Sequence, residues 1–455
     1  MGSEHSRRRI LSSGFALAAL WSLGTACAAG TSASSAGNVP SSAGSVPPTG
    51  GGVPEPVRYL RTSWSTDPFA LCSYSYLAPS PLGERVRPLL AEPVDRLHFA
   101  GEATSAEAPA TAHGALESGQ RAAGEIRAGA GDVVVVVGSG FAGIACARAL
   151  ADRGVGVIVL EARDRVGGRT WTERIGGAPA EMGASWIHGA QDNLMTKLLD
   201  ATGGRRYPFD YDDVTGHDEA AFKEMAGYQK KLESVKDPDA VPVSSVFPRP
   251  LPPQLVYATN VQYSQEYGAD IDQLAVSADA EGRPMLGGDL LLPDGYDQLL
   301  AHLRGNIGVR TGAVVTTVRH RPDGVSLILG SGETIEASHV VITVPIGVLK
   351  AGSITFDPPL PPGKRQAIDA LGAGLLDKLW LEFPQVFWHH DTDIIEWFDH
   401  DNPGRWSWWV NGHKAFGKPV LLGFNAGRPA HELAHASDQE VVASAMDALR
   451  RLRLP

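Results

Sequence analysis

A run of five valines followed by a glycine-rich turn constrains this chain more than any other feature. Residues 133–137 are all valine, and Gly138, Gly140 and Gly143 follow in the spacing GxGxxG. Valines favour a buried strand, and the glycines favour a tight turn into a helix whose first N–H groups can face an anion. Gly138 permits the turn, Gly140 lets a pyrophosphate approach the backbone, and Gly143 lets helix and strand pack closely. Glu161 ends the next apolar run and can accept a ribose hydroxyl, so the sequence predicts a dinucleotide-binding unit.

Composition excludes several classes of partner and site. The formal net charge is −11 and no basic stripe is present, which argues against a nucleic-acid partner. Apart from Cys27, only Cys72 and Cys146 occur in 455 residues, so a disulfide framework is not expected. The fourteen histidines are scattered, and no cysteine–histidine spacing indicates a metal. Hydrophobic residues make up 43% of the chain, enough for two or three globular domains.

The first 28 residues are typical of an export signal. Arg7, Arg8 and Arg9 resemble a twin-arginine motif, and the apolar stretch 14–23 is too short to span a membrane. A plain secretory signal is the alternative, and no transmembrane segment is expected. Cys27 lies at the expected cleavage site and could instead be a lipidated first residue, although Gly24 replaces the usual leucine. The Ser/Gly/Pro-rich residues 29–56 are expected to form a disordered tether.

About 130 residues precede the glycine-rich turn, and they carry a second set of motifs. The segments 97–105 (LHFAGEATS) and 109–123 (PATAHGALESGQRAA) resemble the part that ends flavin-containing amine oxidases. The chain order is therefore interpreted as a circular permutation, with the family's C-terminal part first and residues 128–131 as the new junction. A short flexible joint suffices if the family's last helix lies beside its first strand.

Five further segments carry the resemblance through residues 57–455. They are 161–170 (EARDRVGGRT), 181–189 (EMGASWIHG), 340–350 (VVITVPIGVLK), 371–378 (LGAGLLDK) and 61–69 (RTSWSTDPF). The pattern is most similar to the polyamine oxidases and lysine demethylases of the family, rather than to monoamine oxidases.

The resemblance implies an α/β fold, α+β overall, with a Rossmann-like FAD-binding domain and a mixed-sheet substrate domain. Residues 89–200 and 290–352 are assigned to the FAD-binding domain, and residues 57–88, 201–289 and 353–455 to the substrate domain. FAD is expected to bind non-covalently, because Cys72 lies one position before the cysteine that monoamine oxidases attach to flavin. The residues expected to contact FAD are Trp64, Phe69, Gly101, Glu102, Thr111, Ala112, Gly138, Ser139, Gly140, Ala142, Gly143, Glu161, Ala162, Arg163, Gly168, Arg169, Gly183, Ala184, Ser185, Trp186 and Val315.

The implied reaction transfers a hydride from an amine carbon to flavin N(5). The imine is then hydrolysed, and dioxygen reoxidises the flavin to give hydrogen peroxide. Lys378 matches the family lysine that holds a water at the flavin, and Tyr74 matches one wall of the family's aromatic cage. Thr111 stands where monoamine oxidases carry the second aromatic wall. His188 either binds a distal substrate amine, as in relatives, or is hydrogen-bonded in the core.

The sequence does not decide which amine is the substrate. A polyamine is the leading interpretation, and a small-molecule amine with dioxygen is expected in each case. A monoamine or L-amino-acid oxidase is the first alternative; an amino-acid oxidase needs an arginine for the carboxylate, and Arg205, Arg206 and Arg428 are available. The second alternative is a flavin-binding protein without turnover.

Acidic residues that could anchor a second ammonium, here interpreted as a solvated loop, are Asp210, Asp212, Asp213 and Glu219. The clustered aromatics of residues 387–409 are expected to be mostly core, and the oligomeric state is not assigned.

Overall fold

A computed structural model describes residues 52–129 and 131–452. The predicted export signal 1–28, Cys27 and most of the tether 29–56 lie outside the described residues, as does Ala130 of the predicted junction. Within the described part of the chain, no helix is long and apolar enough to cross a membrane.

The strands are short and mostly alternate with helices or turns. In chain order they are β1 Arg58–Arg61, β2 Tyr74–Leu77, β3 Leu97–Phe99, β4 Val133–Val137, β5 Gly156–Leu160, β6 Thr172–Ile175, β7 Ala178–Glu181, β8 Trp186–Ile187, β9 Tyr207–Phe209, β10 Val214–Thr215, β11 Asp289–Leu291, β12 Val309–Arg310, β13 Val315–Arg321, β14 Gly324–Leu329, β15 Thr334–Ala337, β16 His339–Ile342, β17 Thr355–Asp357, β18 Leu371–Gly374, β19 Leu376–Glu382, β20 Ile394–Glu396, β21 Trp408–Asn411 and β22 Val420–Ala426.

The helices cover the sheets and connect them. The α-helices are Val86–Ala91, Ala112–Glu125, Phe141–Ala151, Leu194–Thr202, Glu219–Leu232, Pro253–Thr259, Gln265–Tyr267, Asp297–Arg304, Ile346–Lys350, Pro362–Ala370, Gly412–Phe416, Arg428–Leu433 and Asp438–Arg451. A π-helical turn, Asn260–Ser264, joins two of them. The 3₁₀ turns are Gly83–Arg85, Glu102–Thr104, Val243–Val246 and Val276–Ala280.

A five-stranded parallel sheet forms the nucleotide-binding half, in the order β12-β5-β4-β16-β3. The valine run supplies the central strand β4, which is buried on both faces. Val134 and Val136 cluster with the helices Ala112–Glu125 and Phe141–Ala151, whereas Val135 and Val137 cluster with residues of β13 and β14. The edge strand β3 comes from the segment before the glycine-rich turn and pairs in parallel with β16. Residues before and after the turn therefore build one sheet.

Two helices pack closely beside this sheet. Ala112–Glu125, from the early segment, lies against Phe141–Ala151, the helix that follows the glycine-rich turn. Gly119 makes this approach possible, because a Cβ there would lie 2.1 Å from the carbonyl oxygen of Ala142. Small residues at the contact thus set the distance between the two helices.

A six-stranded mixed sheet forms the other half, in the order β1-β19-β22-β21-β20-β10. Its pairs are antiparallel except β10 with β20. Trp380 and Phe424 pack on one side, and Trp406 and Trp409 pack on the other against the helix Asp438–Arg451. Of the seven aromatics of residues 387–409, Trp388, Trp406 and Trp409 are buried in the core, and the other four are partly buried and pack against it.

Smaller sheets join the two halves. β15-β14-β13-β17 and the three-stranded β8-β11-β9 are the larger of these, and β2 pairs with β18 and β6 with β7. β17 belongs by hydrogen bonding to the sheet of β13, although residues 353–455 were assigned to the substrate domain. The alternation in residues 309–318 predicted one strand, whereas β12 and β13 are separate strands in different sheets, with Gly312 in the left-handed region between them.

Candidate active site

One large cavity of about 780 Å³ collects the predicted site residues. Lys378, Tyr74, Thr111 and His188 line it, and so does every predicted FAD contact except Gly143. The lining comes from both halves and from segments on both sides of the glycine-rich turn. A cavity at such a junction is a usual place for a cofactor and a small ligand.

The glycine-rich turn meets the cavity at the end of β4. Gly138 has φ +106°, and a Cβ there would collide with the Thr343 hydroxyl. At Gly140 the nearest atom to a Cβ would be 3.6 Å away, so this glycine leaves its space to a ligand rather than to the protein. Gly143 faces away from the cavity, because its missing Cβ lets the backbone of Gly138 approach. The three glycines therefore differ in what a side chain at each position would meet.

Glu161 closes the turn from the end of β5. Its Oε2 accepts hydrogen bonds from the backbone N–H of Ser139 at 2.9 Å and from the Ser139 hydroxyl at 2.7 Å. Its Oε1 accepts from the backbone N–H of Arg163 at 3.0 Å, and the Arg163 guanidinium is paired with Asp67 at 2.6 Å. The carboxylate is thus fixed at the cavity wall beside the helix N-terminus.

A buried charge network supports the opposite wall. Glu102 accepts from the hydroxyl of Ser75 at 2.5 Å and from the Arg169 guanidinium at 3.0 Å. Ser75 also accepts from Arg87 at 2.7 Å, and Arg87 is paired with buried Glu281 at 2.5 Å. Burial alone raises the pKa of Glu102, but the guanidiniums of Arg169 and Arg87 outweigh it and hold that pKa below its ordinary value. The Glu102 carboxylate is therefore charged at neutral pH.

Lys378 lies on β19 and is only 5% exposed. Its Nζ donates to the carbonyl of Glu181 at 3.2 Å, to the carbonyl of Gly183 at 2.5 Å and to the Ser185 hydroxyl at 2.5 Å. Burial lowers the pKa of Lys378, while the neighbouring Glu181 carboxylate opposes that shift. Burial in turn raises the pKa of Glu181 against hydrogen bonds from Thr172 and the backbone of Tyr296. A buried lysine thus borders the cavity, held by three acceptors.

The sequence and the fold are similar to those of flavin-containing amine oxidases. The family model described as flavin containing amine oxidoreductase matches residues 47–127 and 141–455. The chain belongs to this family. Polyamine oxidase 2 of Arabidopsis thaliana is 32% identical over 356 residues, covering 70% of this chain and 72% of that protein. Polyamine oxidase 4 of Oryza sativa subsp. japonica is 31% identical over 355 residues, with coverages of 70% and 72%.

A solved structure shows the same fold. Cyclohexylamine oxidase from Brevibacterium oxydans IH-35A superposes with a TM-score of 0.57 at 22% identity, covering 71% of this chain and 82% of that one. The predicted α/β fold of the flavin-containing amine oxidase type is thus confirmed. The chain is a flavin-dependent amine oxidase by family.

The residues of the cavity fit FAD, the cofactor of this family of oxidases. The open space at Gly140 and the N-terminus of the helix Phe141–Ala151 suit a pyrophosphate. The fixed carboxylate of Glu161 suits a ribose hydroxyl. The amine of Lys378 borders the same cavity.

The cysteines lie apart from the cavity lining. Of the described residues, neither Cys72 nor Cys146 lines it, and both thiols are buried. Burial raises the pKa of Cys72 above its ordinary value, so this thiol resists becoming the thiolate that forms covalent bonds.

Tyr74 and Thr111 line the cavity in different settings. Tyr74 begins β2, opposite Gly374, and its hydroxyl donates to the carbonyl of Gln265 at 3.3 Å. Thr111 caps the helix Ala112–Glu125: its hydroxyl accepts from the N–H of Gly114 at 3.1 Å and donates to the carbonyl of Ala108 at 2.7 Å. The Thr111 hydroxyl is therefore engaged in holding the helix start.

An aromatic wall that the sequence did not indicate surrounds Lys378. The Lys378 ammonium lies 5.7 Å from the ring centroids of both Trp186 and Phe424. Trp408 lies between these rings and Tyr211, on which it stacks at 6.4 Å. Only Trp186 among the four rings was predicted as a site residue. Phe424 and Trp408 belong to no motif, so the sequence did not indicate that they line the cavity.

His188 and the acidic loop also border the cavity. His188 Nδ1 is 2.5 Å from Asp289 Oδ2, a partner that the sequence did not indicate. Asp210 and Asp212 line the cavity, whereas Asp213 is paired with Lys414. Glu219 lies in the first turn of the helix Glu219–Leu232 and is exposed.

Proposed function

We propose that this amine oxidase acts on a polyamine-type substrate. The observation that carries the proposal is the charge of the cavity away from the glycine-rich turn. The lining there includes five carboxylates against one lysine and one histidine: Asp210, Asp212, Glu266, Asp279 and Asp289. Such a wall favours a ligand with more than one positive charge. The two plant relatives described above are named as polyamine oxidases, which agrees with this substrate.

The arginines argue against a substrate with a carboxylate. Among the described residues, the arginines that line the cavity are Arg163 and Arg169, and both are paired with carboxylates of the protein. Arg205 and Arg206 pair with aspartates on the surface, and Arg428 with Asp270. An L-amino acid would need a guanidinium that can reach its carboxylate.

The side chains around Lys378 can perform most of what amine oxidation requires of a protein. FAD, when bound, supplies the acceptor for the hydride and the reaction with dioxygen that gives hydrogen peroxide. Burial lowers the pKa of Lys378 to about 7, so both forms of its amine are present near neutral pH, and the protonated form favours negative charge that develops in the cavity. Trp186, Trp408 and Phe424 exclude water and present ring faces that attract an amine. Tyr74 borders the same cavity from β2 and would orient the substrate there.

Peroxide release tests the proposal. The FAD-loaded protein is assayed with spermine, spermidine, 1,4-diaminobutane, benzylamine and the common L-amino acids. We expect kcat/KM to be at least about 10-fold higher for the polyamines than for benzylamine, since one ionic contact to a charged group contributes about 1.5–3 kcal/mol. A preference for benzylamine or an amino acid would assign the chain to another branch of the family. No turnover with any of them would favour a flavin-binding protein without activity.

We also propose that the chain order is a circular permutation of the family order. The pairing of β3 with β16 and the packing at Gly119 support this, because they make the early segment part of the nucleotide-binding half. A gene that begins at Asp132 and carries residues 57–127 behind residue 455 should give a protein that binds FAD and oxidises the same amine. Deletion of residues 57–127 should abolish FAD binding. If the deleted form retains FAD with similar affinity, the proposal fails.

We further propose export by the twin-arginine route. The support is the arginine motif at residues 7–9 with its short apolar stretch. Residues 1–52 fused to a reporter should reach the periplasm of a bacterium, and should stay inside when Arg7 and Arg8 are both changed to lysine. Export that survives this change would indicate a plain secretory signal. Recovery of the full chain in membranes, lost with Cys27→Ser, would indicate the lipid anchor.

A further inference from the structure

Two histidines meet where the helix Ala112–Glu125 ends beside β3 and β16. His98 lies in β3, His339 begins β16, and the parallel pairing of the two strands brings His339 beside Arg96, which precedes β3. The two imidazole rings are 5.3 Å apart between centroids, and the residues are only 4% and 7% exposed. Both lie outside the lining of the large cavity. The fold therefore buries a pair of titratable rings away from the site described above.

A chain of hydrogen bonds runs through the two rings. A nitrogen of the Arg96 guanidinium lies 2.9 Å from Nε2 of His339, and Nδ1 of His339 lies 3.2 Å from Nε2 of His98. Nδ1 of His98 in turn lies 3.3 Å from Oε2 of Glu125. A guanidinium has only donors and a carboxylate only acceptors, so the protons have one order along the chain. Both rings are neutral in this order, and each carries its proton on Nδ1.

An added proton on either ring places two donors against each other. On Nε2 of His339 it faces the Arg96 guanidinium, and on Nε2 of His98 it faces the Nδ1–H of His339. Burial, with His98 and Arg96 as neighbours, lowers the pKa of His339 to about 4. The chain is therefore complete above about 6.5, the pKa of a free histidine, and loses stability as the pH falls from there toward the folded value.

The chain closes the segment that carries four of the expected FAD contacts. Between His98 and Glu125 lie the cavity residues Gly101, Glu102, Thr111 and Ala112. Arg121 extends the connection toward them, because it pairs with Glu125 and donates to the carbonyl of Phe99 at 2.6 Å and to the Thr104 hydroxyl at 3.2 Å. When the chain opens, this wall of the cavity is released at both of its ends.

We propose that His98 and His339 form a pH-sensitive latch that holds this wall of the FAD site at neutral pH and opens when either ring is protonated. The latch sets the pH at which the protein releases its cofactor. It requires the FAD site of the family and does not depend on which amine is oxidised, so it goes beyond the proposed function. No covalent bond is formed or broken when the latch opens.

Other charges face the latch from the surrounding elements. Burial alone raises the pKa of Glu125, but the hydrogen bond from His98 and the Arg121 guanidinium outweigh it and lower that pKa. The pKa of Glu102 is lowered as well, so neither carboxylate titrates in the pH range of a histidine. The remaining groups nearby, which are the same in every variant below, are Glu92, Asp132, Cys146, Arg153 and Lys364.

The test is the dissociation constant of FAD, measured without substrate from flavin fluorescence as the FAD-loaded protein is diluted. Between about pH 7.5 and about pH 5.5 the wild-type protein should lose about 10-fold or more in affinity, because a released histidine with a pKa of about 6.5 takes up a proton. The double variant His98→Gln/His339→Gln does not titrate there and should change by less than about 3-fold. Arg96→Met should also reduce the loss, since a proton on Nε2 of His339 then opposes no donor.

The matched control is His302→Gln, the same change at an exposed histidine of the helix Asp297–Arg304. It should leave the ratio of the two dissociation constants at the wild-type value. Equal binding by the wild-type protein at both pH values overturns the proposal. A merely structural role of the pair would make the double variant bind more weakly by the same factor at both pH values and leave the ratio unchanged, which overturns it as well.

The order of the protons gives a second test, which needs neither a variant nor bound FAD. In isotope-labelled protein at neutral pH, the nitrogen resonances of His98 and His339, identified from their backbone assignments, should show Nδ1–H and a bare Nε2. Either ring with its proton on Nε2 overturns the latch. Failure of the proposed function is distinguishable, because protein that releases no peroxide from polyamines refutes the substrate and leaves both of these measurements unchanged.

Discussion

Gly119 and Gly124 lie on the same helix, Gly119 in its middle and Gly124 in its last turn, and they differ in what surrounds them. A Cβ at Gly119 would lie 2.1 Å from the carbonyl oxygen of Ala142, whereas a Cβ at Gly124 would meet nothing within 4 Å. Gly119→Ala must therefore push the helices Ala112–Glu125 and Phe141–Ala151 apart by roughly 1 Å, an overpacking that costs about 1–3 kcal/mol. Helix propensity favours the change by about 0.5–1 kcal/mol at Gly119 in the helix interior and by less at Gly124 in the last turn, so it offsets only part of the packing cost. Gly119→Ala should thus be less stable than Gly124→Ala by about 1–3 kcal/mol.

The same displacement should weaken FAD binding, because Ala142 lies in the first turn of the helix that begins at the cavity. Thermal unfolding of the FAD-loaded protein, followed by flavin fluorescence, should show a midpoint for Gly119→Ala that is lower by about 1–4 °C, because the unfolding entropy is about 2.1 cal/mol/K for each residue. Titration of the FAD-free protein should show weaker binding for Gly119→Ala only. Equal midpoints and equal affinities for the two variants would refute the close packing of the early segment on the nucleotide-binding helix.

Three further predictions concern the cavity. Lys378→Met should retain FAD but lose about 100-fold or more in kcat, since it removes a preorganised charge; unchanged peroxide release would remove Lys378 from the mechanism. Acid precipitation should release FAD into the supernatant, because neither Cys72 nor Cys146 lines the cavity among the described residues; colour in the pellet would show a covalent bond. The pKa of Glu102 is lowered, so its ionic contacts are complete above its unfolded pKa of about 4.3 and are lost as the pH falls through the folded pKa. Glu102→Gln should therefore weaken FAD binding at neutral pH and flatten its acid release, as measured by flavin fluorescence.

The sequence predicted the parts of the fold in which a short run of residues by itself requires burial or a particular backbone conformation. Five consecutive valines can hardly be anything but a buried strand, and Gly138 needs a backbone conformation that other residues rarely adopt. The separation of β12 from β13 was not predicted, because the alternation of residues 309–318 continues through the turn at Gly312. Local periodicity does not show where a strand leaves one sheet for another.

No motif in the sequence marked the residues that come together on the substrate side of the cavity. Trp408 and Phe424 are neighbours through the pairing of β21 with β22, and His188 meets Asp289 through the pairing of β8 with β11. Each of these contacts joins residues at least 16 positions apart, and a one-residue change of register would turn the side chains to the other face. A motif marks the backbone positions that a cofactor requires, whereas a substrate wall is set by register. In the described part of the chain, the register of β8 and β11 places the Asp289 carboxylate beside His188 at the cavity wall, and specificity is therefore to be sought in the strand pairs rather than in the motifs.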